Sequence, residues 1–132
     1  MATHNSLFRE TDVHRHPDGL SVSIQLPWYR SLWLSSVTSI AVAVEGRTVP
    51  TEDLRVELAG RTYTVAELPD QWDTLWFIQD RLVVVVPLDE PPAAGAQVDV
   101  EVTVDLRLPY MQIAPTKYVT NHASNRRSLA VR

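Results

Sequence analysis

The feature that most constrains the fold is a long alternation of apolar and polar residues within residues 96–108. Every second residue from position 98 to position 108 is Val or Leu, and the residues between them are acidic, basic or Thr. Successive side chains of a β-strand point to opposite faces of its sheet, so the pattern predicts one long strand with an apolar face and a polar face. The polar face is expected to meet solvent or a partner.

Shorter segments of the same kind precede this strand. Residues 20–26, 37–44 and 54–58 alternate in a similar way, and residues 81–88 include an unbroken run of four Val, which is typical of a strand covered on both faces. Gly46 and Gly60 each separate two β-rich segments, and Gly supplies the positive φ that a hairpin turn requires. These segments are therefore expected to form hairpins.

The sequence contains one short helical signal. Thr64 and Glu67 have the spacing of a capping box, and Pro69 is expected to end the helix after about one turn. Several short strands without a long amphipathic helix predict an all-β fold, an antiparallel β-sandwich with at most one short helical turn. We expect a single domain over residues 1–132, with irregular structure at residues 1–6 and 115–132 and a candidate last strand at residues 128–131.

Charge and composition exclude several classes of function. The net charge of −4 argues against a surface for nucleic acid or anionic lipid. The absence of Cys excludes disulfide scaffolds, zinc ribbons and thiol nucleophiles. No apolar run approaches the ~20 residues that cross a bilayer, and the first residues do not resemble a secretory signal, so we expect a soluble, cytoplasmic protein.

Two groups of polar residues are candidates for chemistry. Asp99 and Glu101 lie on one face of the long strand at about 6.8 Å, a separation compatible with an inverting glycosidase pair. On an extended chain His14 and His16 share a face with two nearby Asp residues, at positions 12 and 18, and such a set suits a divalent metal.

Both groups have a simpler interpretation. A solvated strand face places charges in this way without any catalytic purpose, and tight metal sites usually draw their ligands from several elements of the fold. The sequence also contains no Gly-rich phosphate loop and no motif that marks a Ser nucleophile. We therefore expect no catalytic residue and no metal site on this chain.

Aromatic residues, Arg and Met occur together in two segments that follow strands. These residues are Trp28, Tyr29, Arg30 and Trp33 in the first segment and Tyr110 and Met111 in the second. Such residues are enriched in the centres of protein–protein interfaces. They also suit two other roles, which are closing the ends of the sandwich and stacking on a sugar.

The chain resembles a known family, the small beta subunits of C-glycoside deglycosidases, formerly a domain of unknown function. The resemblance covers residues 7–112, and residues 115–132 depart from the family pattern. It rests on the order and spacing of five motifs: Phe-Arg at residues 8–9, Leu-Pro-Trp-Tyr-Arg at 26–30, Val-x-Gly-x-x-Val-Pro at 44–50, Gly-x-Thr-Tyr-Thr-x-x-Glu-Leu at 60–68 and Pro-Tyr-Met at 109–111.

The resemblance implies a β-sandwich that binds a larger (β/α)₈-barrel subunit in a hetero-oligomer of alpha–beta pairs. The large subunit is expected to carry a divalent metal, Mn²⁺, and the acid–base residues, so that this chain itself holds no cofactor. The complex is expected to be a lyase that cleaves the C–C bond between a 3-oxo sugar and an aromatic aglycone. The reaction would begin with removal of a proton beside the sugar ketone, which acidifies the neighbouring C–H bond.

On this resemblance we expect the chain to be a non-catalytic small subunit that binds and stabilises the large one. The residues assigned to the contact are Trp28, Tyr29, Arg30, Trp33, Tyr110 and Met111. The alternative function is a stand-alone carbohydrate-binding module, in which the aromatic rings would stack on sugar rather than on protein.

Overall fold

The computed structural model describes residues 7–28, 30–114 and 117–132, and it describes residues 109–114 and 117–119 by their backbone alone. Short 3₁₀ segments at Glu10–Asp12, Leu34–Ser36, Thr51–Asp53 and Val65–Asp70 lie between the strands. The strands of this described part are β1 (Val13–His16), β2 (Gly19–Ile24), β3 (Leu32–Trp33), β4 (Val37–Val44), β5 (Arg47–Thr48), β6 (Arg55–Leu58), β7 (Arg61–Thr64), β8 (Leu75–Trp76), β9 (Leu82–Pro87), β10 (Gln97–Ala114) and β11 (Lys117–Ala130).

The strands form two main sheets around one core. The first sheet has the order β1-β2-β9-β6-β7 and the second has the order β11-β10-β4-β5, while β3 and β8 form a separate two-stranded ribbon. Apolar residues of both main sheets join in one buried cluster. All the strand pairings in the described residues are antiparallel, so the predicted all-β class is confirmed. No helix in this part of the chain is long and apolar enough to cross a membrane.

The predicted long strand is the centre of the second sheet. β10 pairs with β4 on one side and with β11 on the other. Its Val100, Val102, Val104 and Leu106 are fully buried, whereas the residues between them are partly or fully exposed. The alternation in the sequence therefore corresponds to one face on the core and one face toward solvent.

Helical structure extends beyond the single predicted turn. The capping box forms, because Thr64 N–H donates to Glu67 Oε1 (2.8 Å), and this bond lowers the pKa of the Glu67 carboxyl. Pro69 lies inside the 3₁₀ segment Val65–Asp70 rather than ending it, since the fixed φ of Pro is compatible with a helical backbone. The other three segments have three residues each, which is too short to leave a periodic pattern.

The C-terminal segment is one long strand where the sequence predicts irregular chain with a last strand at 128–131. β11 pairs with β10, with register shifts between Leu108 and Ala114 of β10. Beyond β11, Arg132 N–H donates to Val13 O (3.1 Å) and Arg15 N–H donates to Arg132 O (2.8 Å), which ties the last residue to β1. Most residues of β11 are polar, so this strand is stabilised by its backbone hydrogen bonds to β10 rather than marked by an alternating apolar pattern.

The connecting segments meet at two opposite ends of the sheets. The end of β2 pairs with the start of β9, and the start of β4 pairs with the middle of β10. Asn121 of β11 donates through Nδ2 to Pro27 O (3.0 Å), which joins the segment after β2 to the second sheet. Residues 25–28, 30–36 and 71–81 therefore lie at one end, which we call the aromatic end. The turn after β4 and the loop between β9 and β10 lie at the other.

Ala59 adopts a left-handed backbone conformation in the turn between β6 and β7. Its φ is +53° and that of Gly60 is +81°, as in a type I′ hairpin turn. A Cβ is disfavoured in this region, so Ala59→Gly is expected to raise the free energy of unfolding in urea by up to about 1 kcal/mol. The control is Ala66→Gly at an exposed position outside the positive-φ residues, where the free energy of unfolding should fall. A decrease for both variants would contradict the prediction.

Candidate partner interface

The β3–β8 ribbon lies at the centre of the aromatic end. Leu32 pairs with Trp76, and Trp33 pairs with Leu75. Leu32 and Trp76 are buried, and Trp76 Nε1–H donates to Asp80 O (3.0 Å), which satisfies the polar group of the buried ring. Paired residues share a face of a ribbon and neighbouring residues alternate, so Trp33 and Leu75 face away from the core.

Large apolar side chains are exposed on this outer face and in the turns beside it. Trp33 is 48% exposed, Phe77 46%, Ile78 43% and Trp72 73%. Phe77 comes directly after the buried Trp76 of β8, so its side chain lies on the same outward face as Leu75. Residues that are diagonal neighbours across two paired strands lie about 7–8 Å apart, a distance that aromatic rings can span. In the described part of the chain these four are the exposed large hydrophobic residues, and all four belong to the aromatic end.

Hydrogen bonds between the two segments hold the backbone of this surface. Leu34 N–H donates to Thr74 O (2.7 Å), and Ile78 N–H donates to Ser31 Oγ (2.9 Å). These bonds connect residues that are about forty positions apart in the chain. The surface is therefore formed before any partner binds, which lowers the entropy cost of association.

The first group of residues assigned to the interface from the sequence lies at this end. Trp33 and Arg30 are exposed, and Trp28 is half-buried and packs against the hydrophobic core. Tyr29 lies outside the described residues. The position of Trp28 agrees with a role in closing the end of the sandwich, while the ring of Trp33 has a large accessible area.

The second group lies on the continuation of β10. Tyr110 and Met111 are strand residues two and three positions beyond the buried Leu108, and their side chains lie outside the description. β4 pairs with β10 only as far as Leu106, at the aromatic end. The backbone of Tyr110 and Met111 therefore extends β10 at the aromatic end, the same end that carries Trp33.

The sequence interpretation missed three exposed residues of this surface. In the sequence, Phe77 and Ile78 belong to a short apolar segment at residues 75–78, and neither these residues nor Trp72 were singled out. Trp72 is surrounded by Asp, Gln and Asp, and an isolated aromatic residue in a polar segment is a signal of exposure. Phe77 gives no such signal, because only the pairing of β8 with β3 determines that it faces outward.

The acidic pair on β10 is engaged with a neighbouring strand. Asp99 accepts hydrogen bonds from Arg126 Nη2 (2.6 Å) and Nε (3.0 Å), and these bonds hold the pKa of Asp99 below its ordinary value. Asp99, Glu101 and Arg126 line an open groove of about 180 Å³ together with three small residues. A glycosidase acid needs a raised pKa, so Asp99 is unsuited to that role.

The candidate metal ligands at positions 12–18 do not form one cluster. Asp12 forms an ion pair with Arg81 (3.1 Å), and Asp18 N–H donates to His16 Nδ1 (3.1 Å). Within the described residues, no three His, Asp or Glu side chains come together as metal ligands. Of the four side chains that the sequence aligned on one face, Asp12 thus pairs outside the group, whereas His16 contacts Asp18 within it.

The two-sheet fold and the exposed aromatic end are typical of β-domains that bind another molecule. The model of the C-glycoside deglycosidase beta subunit family matches residues 2–110, so the chain belongs to this family. The name of the family describes one subunit of a deglycosidase and therefore implies a partner subunit.

Individual relatives agree with this family. A C-glycoside deglycosidase beta subunit from Arthrobacter globiformis is 57% identical over 131 residues, which are 99% of each chain. A second C-glycoside deglycosidase beta subunit from the same organism is 36% identical over 93 residues, 69% of each chain. The 3'-dehydrocarminate deglycosidase beta subunit from a Microbacterium species is 34% identical over 99 residues, 73% of this chain and 71% of the relative.

Proposed function

We propose that this chain is the non-catalytic small subunit of a heteromeric C-glycoside deglycosidase. The observation that carries the proposal is the 57% identity to a named beta subunit over 99% of both chains. The fold is consistent with the role, because Asp99 and Asp12 pair with Arg126 and Arg81 within the chain, and His16 accepts a hydrogen bond from the backbone of Asp18. The acid–base residues and a divalent metal, Mn²⁺, are assigned to a (β/α)₈-barrel large subunit.

The substrate class is a C-glycoside whose sugar is oxidised to the 3-oxo form. A relative named for a 3'-dehydro compound supports this assignment. A ketone acidifies the adjacent C–H bond, so a metal-assisted base is able to remove this proton and start an elimination that breaks the C–C bond to the aglycone. Such a lyase reaction does not need the paired carboxylates of an ordinary glycosidase.

The contact surface is assigned to the aromatic end and the adjoining part of β10. It combines the residues chosen from the sequence with the three that the fold adds. The set is Trp28, Tyr29, Arg30, Trp33, Trp72, Phe77, Ile78, Tyr110 and Met111. Exposed aromatic residues with a preformed backbone are suited to be the anchors of such an interface.

Reconstitution tests the proposed function. The chain is purified alone and together with its large subunit, and both samples are assayed with a C-glycoside and with its 3-oxo derivative. We expect turnover only from the complex, only with the oxidised sugar, and with loss of activity on chelation of the metal. Turnover by the isolated chain would contradict the proposal. Sugar binding by a chain that associates with no large subunit would favour the carbohydrate-binding module.

A further inference from the structure

The most exposed large apolar side chain of the described residues projects from a turn at the aromatic end. The ring of Trp72 is 73% exposed. On one side of the turn, Gln71 O accepts a hydrogen bond from Ser35 N–H (3.0 Å). On the other side, Thr74 O accepts a hydrogen bond from Leu34 N–H (2.7 Å). Because both sides of the turn are bonded to neighbouring residues of the other segment, the ring is presented by a fixed backbone, which lowers the entropy cost of binding a partner.

Two carboxylates flank this ring in the sequence, and a third follows on the same segment. Asp70 and Asp73 are exposed, and Asp80 is partly exposed. The backbone of Asp80 is held on both sides, because its N–H donates to Phe77 O (2.9 Å) and its O accepts from Trp76 Nε1 (3.0 Å). Within the described residues, none of these three carboxylates forms an ion pair or a side-chain hydrogen bond.

The subunit supplies no basic residue to balance this segment. Residues 62–80 contain four Asp and Glu residues and no Lys, Arg or His. Arg81, which follows directly, is paired with Asp12 (3.1 Å). Arg30, the charged residue of the other segment of the aromatic end, already has an interaction within the chain. The negative charge around Trp72 is therefore left for a partner to neutralise.

An exposed indole ring between two carboxylates suits one kind of ligand group. A guanidinium group stacks on the face of a Trp ring, and its planar fork donates two parallel hydrogen bonds to a carboxylate. An apolar pocket without positive charge is a poor fit, because the carboxylates at its edge would lose water without compensation. The combination of ring and carboxylates thus favours a partner surface that presents Arg.

We propose that residues 70–80 dock on a basic surface of the large subunit, where an Arg side chain stacks on Trp72 and pairs with Asp70 or Asp73. The proposal rests on the proposed function, because it takes the large subunit as the partner. The exposed apolar residues exclude water from the contact, and the charges steer the encounter and fix the orientation. A second copy of this chain is a poor occupant, because a symmetric contact would place the same negative segment against itself.

Neutralisation of the flanking carboxylates is the first test. Asp70→Asn combined with Asp73→Asn preserves the size of both side chains and removes two charges. We expect the affinity for the large subunit, measured by titration at low ionic strength, to fall at least tenfold and to depend less on salt than that of the unmodified chain. The matched control is Asp89→Asn combined with Glu90→Gln, which removes two exposed charges at the opposite end and should leave the affinity within twofold.

Substitution of the ring is the second test. Trp72→Leu keeps an apolar side chain without a ring and should weaken binding at least tenfold, whereas Trp72→Phe keeps a ring and should weaken it less. The variant that combines Trp72→Leu with both Asn substitutions should lose less affinity than the product of the separate losses, because all three residues contact one Arg. Separate losses that multiply in full would show that ring and carboxylates share no ligand group, and would overturn the assignment of an Arg.

The outcomes separate this inference from the proposed function. The melting temperature of each variant confirms that it is folded. If the unmodified chain binds the large subunit and the Asn and Leu variants bind it with unchanged affinity and salt dependence, the inference is overturned and the proposed function stands. If the unmodified chain binds no large subunit, the proposed function is overturned as well. If the Asn substitutions instead break a dimer of this chain, the occupant is a second copy and the inference is overturned.

Discussion

Trp33→Asp is expected to weaken the association with the large subunit by about 30-fold or more. Removal of an aromatic anchor from the centre of an interface costs about 2 kcal/mol or more, and about 1.4 kcal/mol corresponds to a factor of ten. The new carboxylate adds a cost, because it would have to lose its water in an apolar contact. The ring of Trp33 is 48% exposed and faces away from the core, so the isolated subunit should keep its melting temperature within a few degrees.

The measurement is a titration of large subunit into small subunit, followed by activity at a limiting concentration. Trp33→Phe retains an aromatic ring and should bind nearly as well as the unmodified chain. Ala94→Asp introduces the same charge at an exposed position of the opposite end and should have no effect. Trp28→Ala is less informative, because Trp28 packs against the core and its loss affects folding as well as binding. Unchanged affinity of Trp33→Asp would exclude the aromatic end as the interface.

Gly19→Ala is expected to be the most destabilising single substitution at a Gly. Gly19 is buried between β1 and β9, and an added Cβ would lie 2.2 Å from Val86 O and 2.7 Å from Leu88 N. Both neighbours are backbone atoms, so the strands themselves must separate. We expect a loss of about 3 kcal/mol in the free energy of unfolding, measured in urea, and a fall of roughly 10 °C in the melting temperature.

Gly95→Ala is the matched control for this substitution. Gly95 has a φ of +86°, but a Cβ there meets no atom within 4 Å. This variant therefore reports the backbone cost of a positive φ without a clash, on the order of 1 kcal/mol. If both variants are destabilised equally, close packing around Gly19 does not limit the stability of the first sheet.

Several elements could be predicted from the sequence because their pattern is local. The apolar face of β10 follows from the alternation of its own residues, as does the burial of Ile40, Val42 and Val44 on β4. The hairpin at Gly60 and the capping box at Thr64 also depend on residues that are close together in the chain. In each case the residues that form the recognisable sequence pattern are also the residues that interact in the structure.

The functional surface depends on contacts that are distant in the sequence. Trp33 and Trp76 occur in similar short apolar segments, yet one ring is 48% exposed and the other is fully buried. The pairing of β3 with β8 decides between them, since a shift by one residue would exchange the two faces. The strand β11 is a similar case, because its polar sequence becomes a strand only beside β10.

Sequence alone was thus sufficient for the all-β class, for the polar and apolar faces of the main strands and for the resemblance to a family of beta subunits. Tertiary structure decided that residues 25–28, 30–36 and 71–81 form one surface, that Phe77 and Ile78 belong to it, and that β10 continues beyond its pairing with β4. The physical reason is that side-chain periodicity is set by the backbone geometry of a single strand. Register between distant strands is set by the packing of the whole core.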